Sequence, residues 1–225
     1  MNLVSRTRAG AEAVLARLAS IGADPMDDDE RRFRKGLIVV IAVLILPISL
    51  VWGTLYLALG APAGLIAYLY LAISVAAILV FSRTRDAEAF LRAELVAILL
   101  APTLSMAFVG GFVASGGVGL WGIMAPLGAL VFRGWRSGLR WFVAFLAVFL
   151  LSGLAGEIYG GLSELPAWFQ SAMIALNIAV GGAIVFTLLA LFAKQREEAL
   201  PRSGSSKPRP RTCSSTSCPA RSPTG

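Results

Sequence analysis

Long runs of apolar residues alternate with short charged segments along most of the chain. Six runs predict membrane helices: Gly36–Leu59, Pro62–Phe81, Leu95–Ala114, Val118–Phe132, Trp141–Leu154 and Pro166–Ala193. A helix that crosses a bilayer needs about 20 apolar residues, with a range of about 17 to 25. The fourth and fifth runs are shorter, so their helices must borrow flanking glycine, serine and tryptophan residues. The pattern predicts an all-α integral membrane protein with a six-helix bundle over residues 36–193.

The distribution of basic residues predicts the orientation of this bundle. Every lysine and arginine lies in one of four segments: 1–35, 83–94, 133–140 and 194–225. With six spans, these four segments all lie on the same side of the membrane. Basic residues concentrate on the cytoplasmic side of membrane proteins. We therefore expect a multi-pass protein of the bacterial inner (plasma) membrane, with both termini in the cytoplasm.

Three further segments complete the predicted domain organisation. Residues 1–35 form a cytoplasmic N-terminal segment, with a short helix over residues 3–21. Residues 194–200 are predicted to begin a cytoplasmic signalling helix. Its first residues are Lys194, Gln195, Arg196, Glu197 and Glu198. Residues 201–225 are rich in serine, proline, arginine and threonine and have no apolar periodicity, a composition typical of disorder.

The composition agrees with a membrane protein and limits the candidate chemistry. Hydrophobic residues make up 57% of the 225 residues, whereas a soluble domain has about 45–50% by a similar count. The net charge of +7 arises in the segments that flank the spans, so we predict the lipid bilayer, and not nucleic acid, as a partner. The chain lacks histidine, and its two cysteines, Cys213 and Cys218, lie in the polar tail. They provide no predicted metal site or disulfide framework.

Polar residues within the predicted spans are few. Asn177, in the sixth span, is the only strongly polar one. Its amide has two interpretations: a hydrogen bond across a helix or dimer interface, which is typical of membrane bundles, or a contact to a ligand. The predicted spans contain no ionisable residue, and such residues are expected in proton-coupled transporters and ion pumps. The pattern therefore argues against those two classes.

One stretch is distinctive enough to carry a family resemblance. The segment GGVGLWGIMAPLGALVFRGWRSGLRWF, Gly116–Phe142, resembles the fourth span and following loop of the six-span membrane domain in bacterial class III adenylate/guanylate cyclases. The R-T-R-D-A loop at Arg83–Ala87 and the exit helix ending in Q-R-E-E-A resemble the same family. The similarity extends over about residues 25–200.

The resemblance implies a membrane-anchoring and regulatory or sensor domain in cyclic nucleotide signalling. In that family two six-span units pair as a homodimer, and their exit helices align two catalytic domains that use Mg or Mn with ATP or GTP. None of this catalytic machinery is recognisable in the cytoplasmic segments. We therefore expect that the chain as it stands is not an enzyme, has no catalytic or cofactor-binding residues and requires no cofactor.

The tail suggests a reason for the missing domain. In the family, a short L-L-L-N-I-L-P motif follows the exit helix, and this chain lacks it. When the third base of each codon over Thr212–Thr224 is joined to the first two bases of the next, the genetic code permits L-L-L-N-I-L-P-R-S-I-A-D. The resulting hypothesis is that the tail is a frameshift product, with the shift near Leu200–Arg202. The nucleotide sequence tests it directly.

Two other functions compatible with the hydropathy pattern stay open. A small six-span transporter or channel would need a polar pathway near the midplane, and the spans offer only hydroxyl groups and Asn177. A stand-alone membrane sensor would signal through residues 194–200 to a separate soluble partner. A liposome flux assay distinguishes the first alternative, and a pull-down on the cytoplasmic face distinguishes the second.

Overall fold

The computed structural model describes residues 21–22, 26–162 and 164–199, with residues 188, 191, 192 and 194–199 described by their backbone alone. The α-helices are α1 (Asp29–Ala58), α2 (Gly64–Thr84), α3 (Ala87–Val109), α4 (Met124–Arg133), α5 (Trp135–Tyr159) and α6 (Ala167–Ala199). A 3₁₀ helix, Val118–Ile123, leads directly into α4. The described residues contain no strand, so the prediction of an all-α protein is confirmed.

Five of these helices are long and apolar enough to cross a membrane, which indicates a multi-pass membrane protein. The five segments are Asp29–Ala58, Gly64–Thr84, Ala87–Val109, Trp135–Tyr159 and Ala167–Thr187. The fifth predicted span is longer than its apolar run, because α5 begins within the basic segment at Trp135 and has 25 residues. The fourth predicted span is the shorter 3₁₀–α4 segment, Val118–Arg133.

Aspartate caps explain why two helices begin before their apolar runs. The side chain of Asp28 accepts a hydrogen bond from the backbone N–H of Arg31 at 2.8 Å, and α1 begins at the next residue. Asp86 accepts from the N–H groups of Glu88 and Ala89, both at 3.0 Å. A carboxylate at this position satisfies N–H groups that have no partner within the helix. As a result α3 begins at Ala87 and not at the predicted Leu95, and the acidic and basic residues between them are helical.

The 3₁₀–α4 segment lies antiparallel to α3. Gly119 packs against Met106, Gly122 against Thr103 and Gly128 against Leu95. At the end of the segment, the Arg133 guanidinium forms an ion pair with the Glu88 carboxylate. The segment therefore runs beside α3 over most of its length, from the last turn of α3 back to the first.

One end of the bundle gathers the basic residues, and we call it the basic end. It contains the start of α1, the turn between α2 and α3, and the junction of α4 and α5. The Arg34 guanidinium donates a hydrogen bond to the Phe132 carbonyl, which connects α1 to α4. Phe81 and Phe90 stack across the α2–α3 turn with their ring centroids 4.9 Å apart. The buried aromatic and aliphatic core extends from these rings along α3.

Three predicted features fall partly or wholly outside this description. The predicted N-terminal helix over residues 3–21 and the tail over residues 201–225 lie outside the described residues, apart from Ile21. The predicted signalling residues 194–198 belong to the last part of α6, where the backbone is helical to Ala199. The bundle described in the following sections ends at Gly182.

Candidate functional site

A small apolar cavity lies among α1, α2, α3 and the 3₁₀ helix, in the half of the bundle away from the basic end. Its volume is about 60 Å³. Its walls include Trp52 and Tyr56 from α1, Ala67 and Tyr70 from α2, Ile98, Pro102 and Ser105 from α3, and Val118 and Trp121 from the 3₁₀ helix. Small-molecule sites usually measure about 300–1,000 Å³. The cavity therefore fits a short apolar group, such as part of an acyl chain, and not a whole drug-sized ligand.

Glycine and proline shape the walls of this cavity. Gly64, in the cavity wall, lies so close to α1 that a Cβ atom at this position would be 2.5 Å from the carbonyl oxygen of Gly53. Only glycine permits the two helices to meet there. Pro102 has no N–H group, so the carbonyl of Ile98 loses its usual donor within α3. The backbone beside the cavity is thus less fully hydrogen-bonded than an ordinary helix.

Hydroxyl groups tie the cavity wall to its surroundings. The Tyr56 hydroxyl donates to the backbone carbonyl of Ser115 in the segment that precedes the 3₁₀ helix. The ring of Tyr56 also contacts that of Phe169 in α6, edge to face, with centroids 6.0 Å apart. Tyr56 therefore lines the cavity and also contacts both the segment before the 3₁₀ helix and α6.

The most unexpected group near the cavity is the carboxyl of Glu94. It is 9% exposed, and its Oε2 atom accepts hydrogen bonds from the Ser74 hydroxyl at 3.0 Å and the Tyr70 hydroxyl at 3.4 Å. Its Oε1 atom has no donor among the described residues. Because Tyr70 also lines the cavity, one tyrosine connects the carboxyl to the cavity wall.

The position of Glu94 corrects the prediction that no ionisable residue lies within a span. At 1.5 Å per residue, Glu94 lies about 10 Å from the start of α3, and its partner Ser74 lies about 15 Å from the end of α2. Hydropathy placed Glu94 in a basic loop. Two local signals indicated otherwise: the capping residue Asp86 before it, and the spacing of Tyr70 and Ser74, which puts both hydroxyls on one face of α2.

Asn177 makes a polar contact between α6 and the 3₁₀ region. It is 3% exposed. Its Nδ2 atom donates to the Gly116 carbonyl at 2.8 Å, and its Oδ1 atom accepts from the Trp121 indole N–H at 2.9 Å. Trp121 also lines the cavity. The side chain therefore lies between helices, and a single hydrogen bond separates it from the cavity wall.

Within the described ranges, no group of three or more histidine, cysteine, aspartate or glutamate residues is placed to hold a metal ion. The predicted absence of catalytic and cofactor-binding residues stays a prediction, as do the roles of the signalling residues at the end of α6. Comparison with known protein families, with curated proteins and with solved structures finds no match for this chain.

Proposed function

We propose that the chain is a membrane-embedded sensor domain in which occupancy of the apolar cavity biases the position of α6. One observation carries the proposal: Trp121 lines the cavity and also donates the hydrogen bond that holds Asn177 of α6. A ligand that displaces the indole must also disturb this bond. A ligand can shift a conformational equilibrium only if its contacts differ between the two states. Here the difference is the Trp121–Asn177 hydrogen bond, which is intact beside an empty cavity and disturbed beside an occupied one.

The topology that we propose has six crossings, with the 3₁₀–α4 segment as the fourth. The contacts of this segment along α3, from Met106 to Glu88, support the proposal because the two segments span similar heights. Six crossings place the start of α1 and the end of α6 on the same side. With the basic end facing the cytoplasm, as the positive-inside rule favours, both termini are cytoplasmic.

Labelling with a membrane-impermeant maleimide tests this orientation on the chain itself. The two native cysteines, Cys213 and Cys218, should react only after the cells are permeabilised. In a variant lacking both, Leu162→Cys should react in intact spheroplasts, because Leu162 is 69% exposed in the connection between α5 and α6. Labelling of the native cysteines in intact spheroplasts would contradict the proposed side of the C-terminus.

The parent system that we propose is the class III adenylate/guanylate cyclase family of bacterial inner membranes. The support is the resemblance of Gly116–Phe142, together with the place of that segment in the structure. It supplies Gly116 and Trp121, which are the two hydrogen-bond partners of Asn177. In this proposal two copies of the chain pair in the membrane, residues 194–198 continue the output helix, and catalysis belongs to a cytoplasmic domain.

A chimera provides the functional test. Residues 1–200 are joined to the catalytic domain of a class III adenylate cyclase and expressed in a strain that lacks its own cyclase. Asn177→Leu should change cyclic AMP production by about 3- to 20-fold, the range that corresponds to an interhelical hydrogen bond in a membrane. The matched control is Ile178→Leu, at the adjacent lipid-facing position. Equal output from both variants, at equal expression, refutes the coupling.

Glu94 favours a second candidate, a small proton-coupled transporter. A buried intramembrane carboxyl with one unpaired oxygen is a common element of proton relays. The purified chain in liposomes should then dissipate an imposed pH gradient, and Glu94→Gln should abolish the flux. A gradient held by the wild-type chain as long as by protein-free liposomes rejects this candidate and leaves the sensor proposal unaffected.

A further inference from the structure

A groove at the basic end lies between α3 and the α4–α5 junction, apart from the apolar cavity. Its volume is about 530 Å³. The residues that line it are Glu88, Arg92, Phe132, Arg133, Ser137 and Arg140. A second depression shares Arg133, Ser137 and Arg140 and extends along α5 to Trp141 and Ala144. The two together form one groove, polar at the end of the bundle and apolar further along α5. We call it the arginine groove.

The charges in the arginine groove are only partly neutralised. Arg133 pairs with Glu88. The Nε atom of Arg92 donates to the backbone carbonyl of Glu88 at 3.2 Å, on its own helix, and to no carboxylate among the described residues. Arg140 has no hydrogen bond or ion pair to any described residue. Two positive charges therefore face the groove without a counter-charge.

The hydrogen-bonding capacity of these groups suits a phosphate oxygen. A guanidinium presents several N–H donors in a fixed plane and can bind a phosphate group in a bidentate manner, through two parallel hydrogen bonds. Arg92 comes from α3 and Arg140 from α5, so the donors approach from two sides of the groove. The Ser137 hydroxyl, a buried group that also lines the groove, adds a second type of donor.

The apolar extension indicates that the ligand is a lipid. Trp141 and Ala144 continue the groove away from the helix end, and its lining there is mainly apolar. An acyl chain along α5 would cover such surface, whereas a free phosphate or nucleotide would leave it uncovered. Tryptophan at this depth is typical of the boundary between headgroups and hydrocarbon.

We propose that the arginine groove binds one anionic phospholipid of the leaflet at the basic end. The phosphodiester lies between Arg92 and Arg140, and an acyl chain follows α5 past Trp141. Because the groove joins α3 to the α4–α5 junction, the bound lipid adds a further contact between two parts of the bundle that the Arg133–Glu88 pair also connects.

Native mass spectrometry of the full chain in detergent tests the proposal, with phosphatidylglycerol as the titrated lipid. Each basic residue near an anionic surface contributes about 1 kcal/mol, so the variant Arg92→Gln/Arg140→Gln should bind the lipid about 30-fold more weakly. The matched control is Arg136→Gln. Arg136 lies on the same helix but stacks on the ring of Trp135, 5.6 Å from its centroid, and does not line the groove. The control should bind like the wild type.

Two further binding measurements distinguish an anionic lipid headgroup from other sources of phosphate. Phosphatidylcholine, which carries a phosphate but no net charge, should bind much more weakly than phosphatidylglycerol. Inorganic phosphate should not compete at concentrations similar to those of the lipid. Equal binding of both lipids, effective competition by inorganic phosphate, or an equal loss in the Arg136→Gln control each overturns the proposal. Size-exclusion profiles identify variants that fail to fold. If the double variant fails to fold, the single variants Arg92→Gln and Arg140→Gln are measured in its place.

Discussion

Replacement of Asn177 by leucine tests the polar link between the cavity wall and α6. The two side chains have the same number of heavy atoms and both branch at Cγ, so the change removes hydrogen bonds with little change in shape. Two bonds are lost, at 2.8 and 2.9 Å, and the Trp121 N–H and Gly116 carbonyl are left without partners. Interhelical hydrogen bonds in membranes average about 0.6 kcal/mol, with a maximum of about 1.7. We therefore expect the free energy of unfolding to fall by about 1–2 kcal/mol.

The assay is reversible unfolding in mixed detergent micelles, monitored by far-ultraviolet circular dichroism. Trp121→Phe removes only the indole donor and should cost about 0.6 kcal/mol. The matched tryptophan control is Trp168→Phe, at a position 68% exposed. The double variant Asn177→Leu/Trp121→Phe should lose less than the sum of the single changes, because one shared bond is counted twice. Strict additivity, or no effect of Asn177→Leu, would show that the reasoning from this contact is wrong.

Three further results follow from the same structure. Gly64→Ala should lower the free energy of unfolding by about 1–3 kcal/mol, because the added Cβ would overlap a carbonyl oxygen of α1. Gly181→Ala is the control and should cost nothing in the same assay, because the Cβ added there meets no atom within 4 Å. Ser74→Ala should lower the free energy of unfolding by about 0.6–1.7 kcal/mol, because the Ser74 hydroxyl donates a hydrogen bond to the buried Glu94 carboxyl. Ser82→Ala should have a smaller effect, because the Ser82 hydroxyl donates to a backbone carbonyl of its own helix. The purified chain should form no cyclic AMP from ATP, and measurable activity would contradict the proposal that it is a sensor domain without a catalytic site.

Hydropathy located the helices but misplaced some of their ends. Apolar runs indicate where lipid contacts a helix, whereas caps determine where the helix begins. The start of α3 illustrates the difference, because Asp86 fixes it at Ala87, eight residues before the apolar run at Leu95. This gap includes Glu94, the one buried carboxyl beside the cavity in the described part of the chain. Capping rules applied to the charged segment would have recovered it.

The contacts of the candidate site depend on packing that a single sequence does not reveal. Asn177 stood out as the strongly polar residue of its span, but its partners lie 56 and 61 residues away. Which side chain it meets depends on the course of residues 110–123. That course depends on left-handed glycines such as Gly117, at φ 73°, which end one segment and start the 3₁₀ helix. Motif and hydropathy rules do not specify such a path.

The 3₁₀ helix has a consequence for how membrane segments are counted. A 3₁₀ helix rises about 2.0 Å per residue and an α-helix about 1.5 Å. The sixteen residues of the Val118–Arg133 segment thus reach about 27 Å, close to the roughly 30 Å of a hydrocarbon core. An all-α helix of the same residues would reach only about 24 Å. A hydropathy window counts residues, whereas a bilayer has a thickness in ångströms, and two turns of 3₁₀ helix are enough to make the two measures disagree.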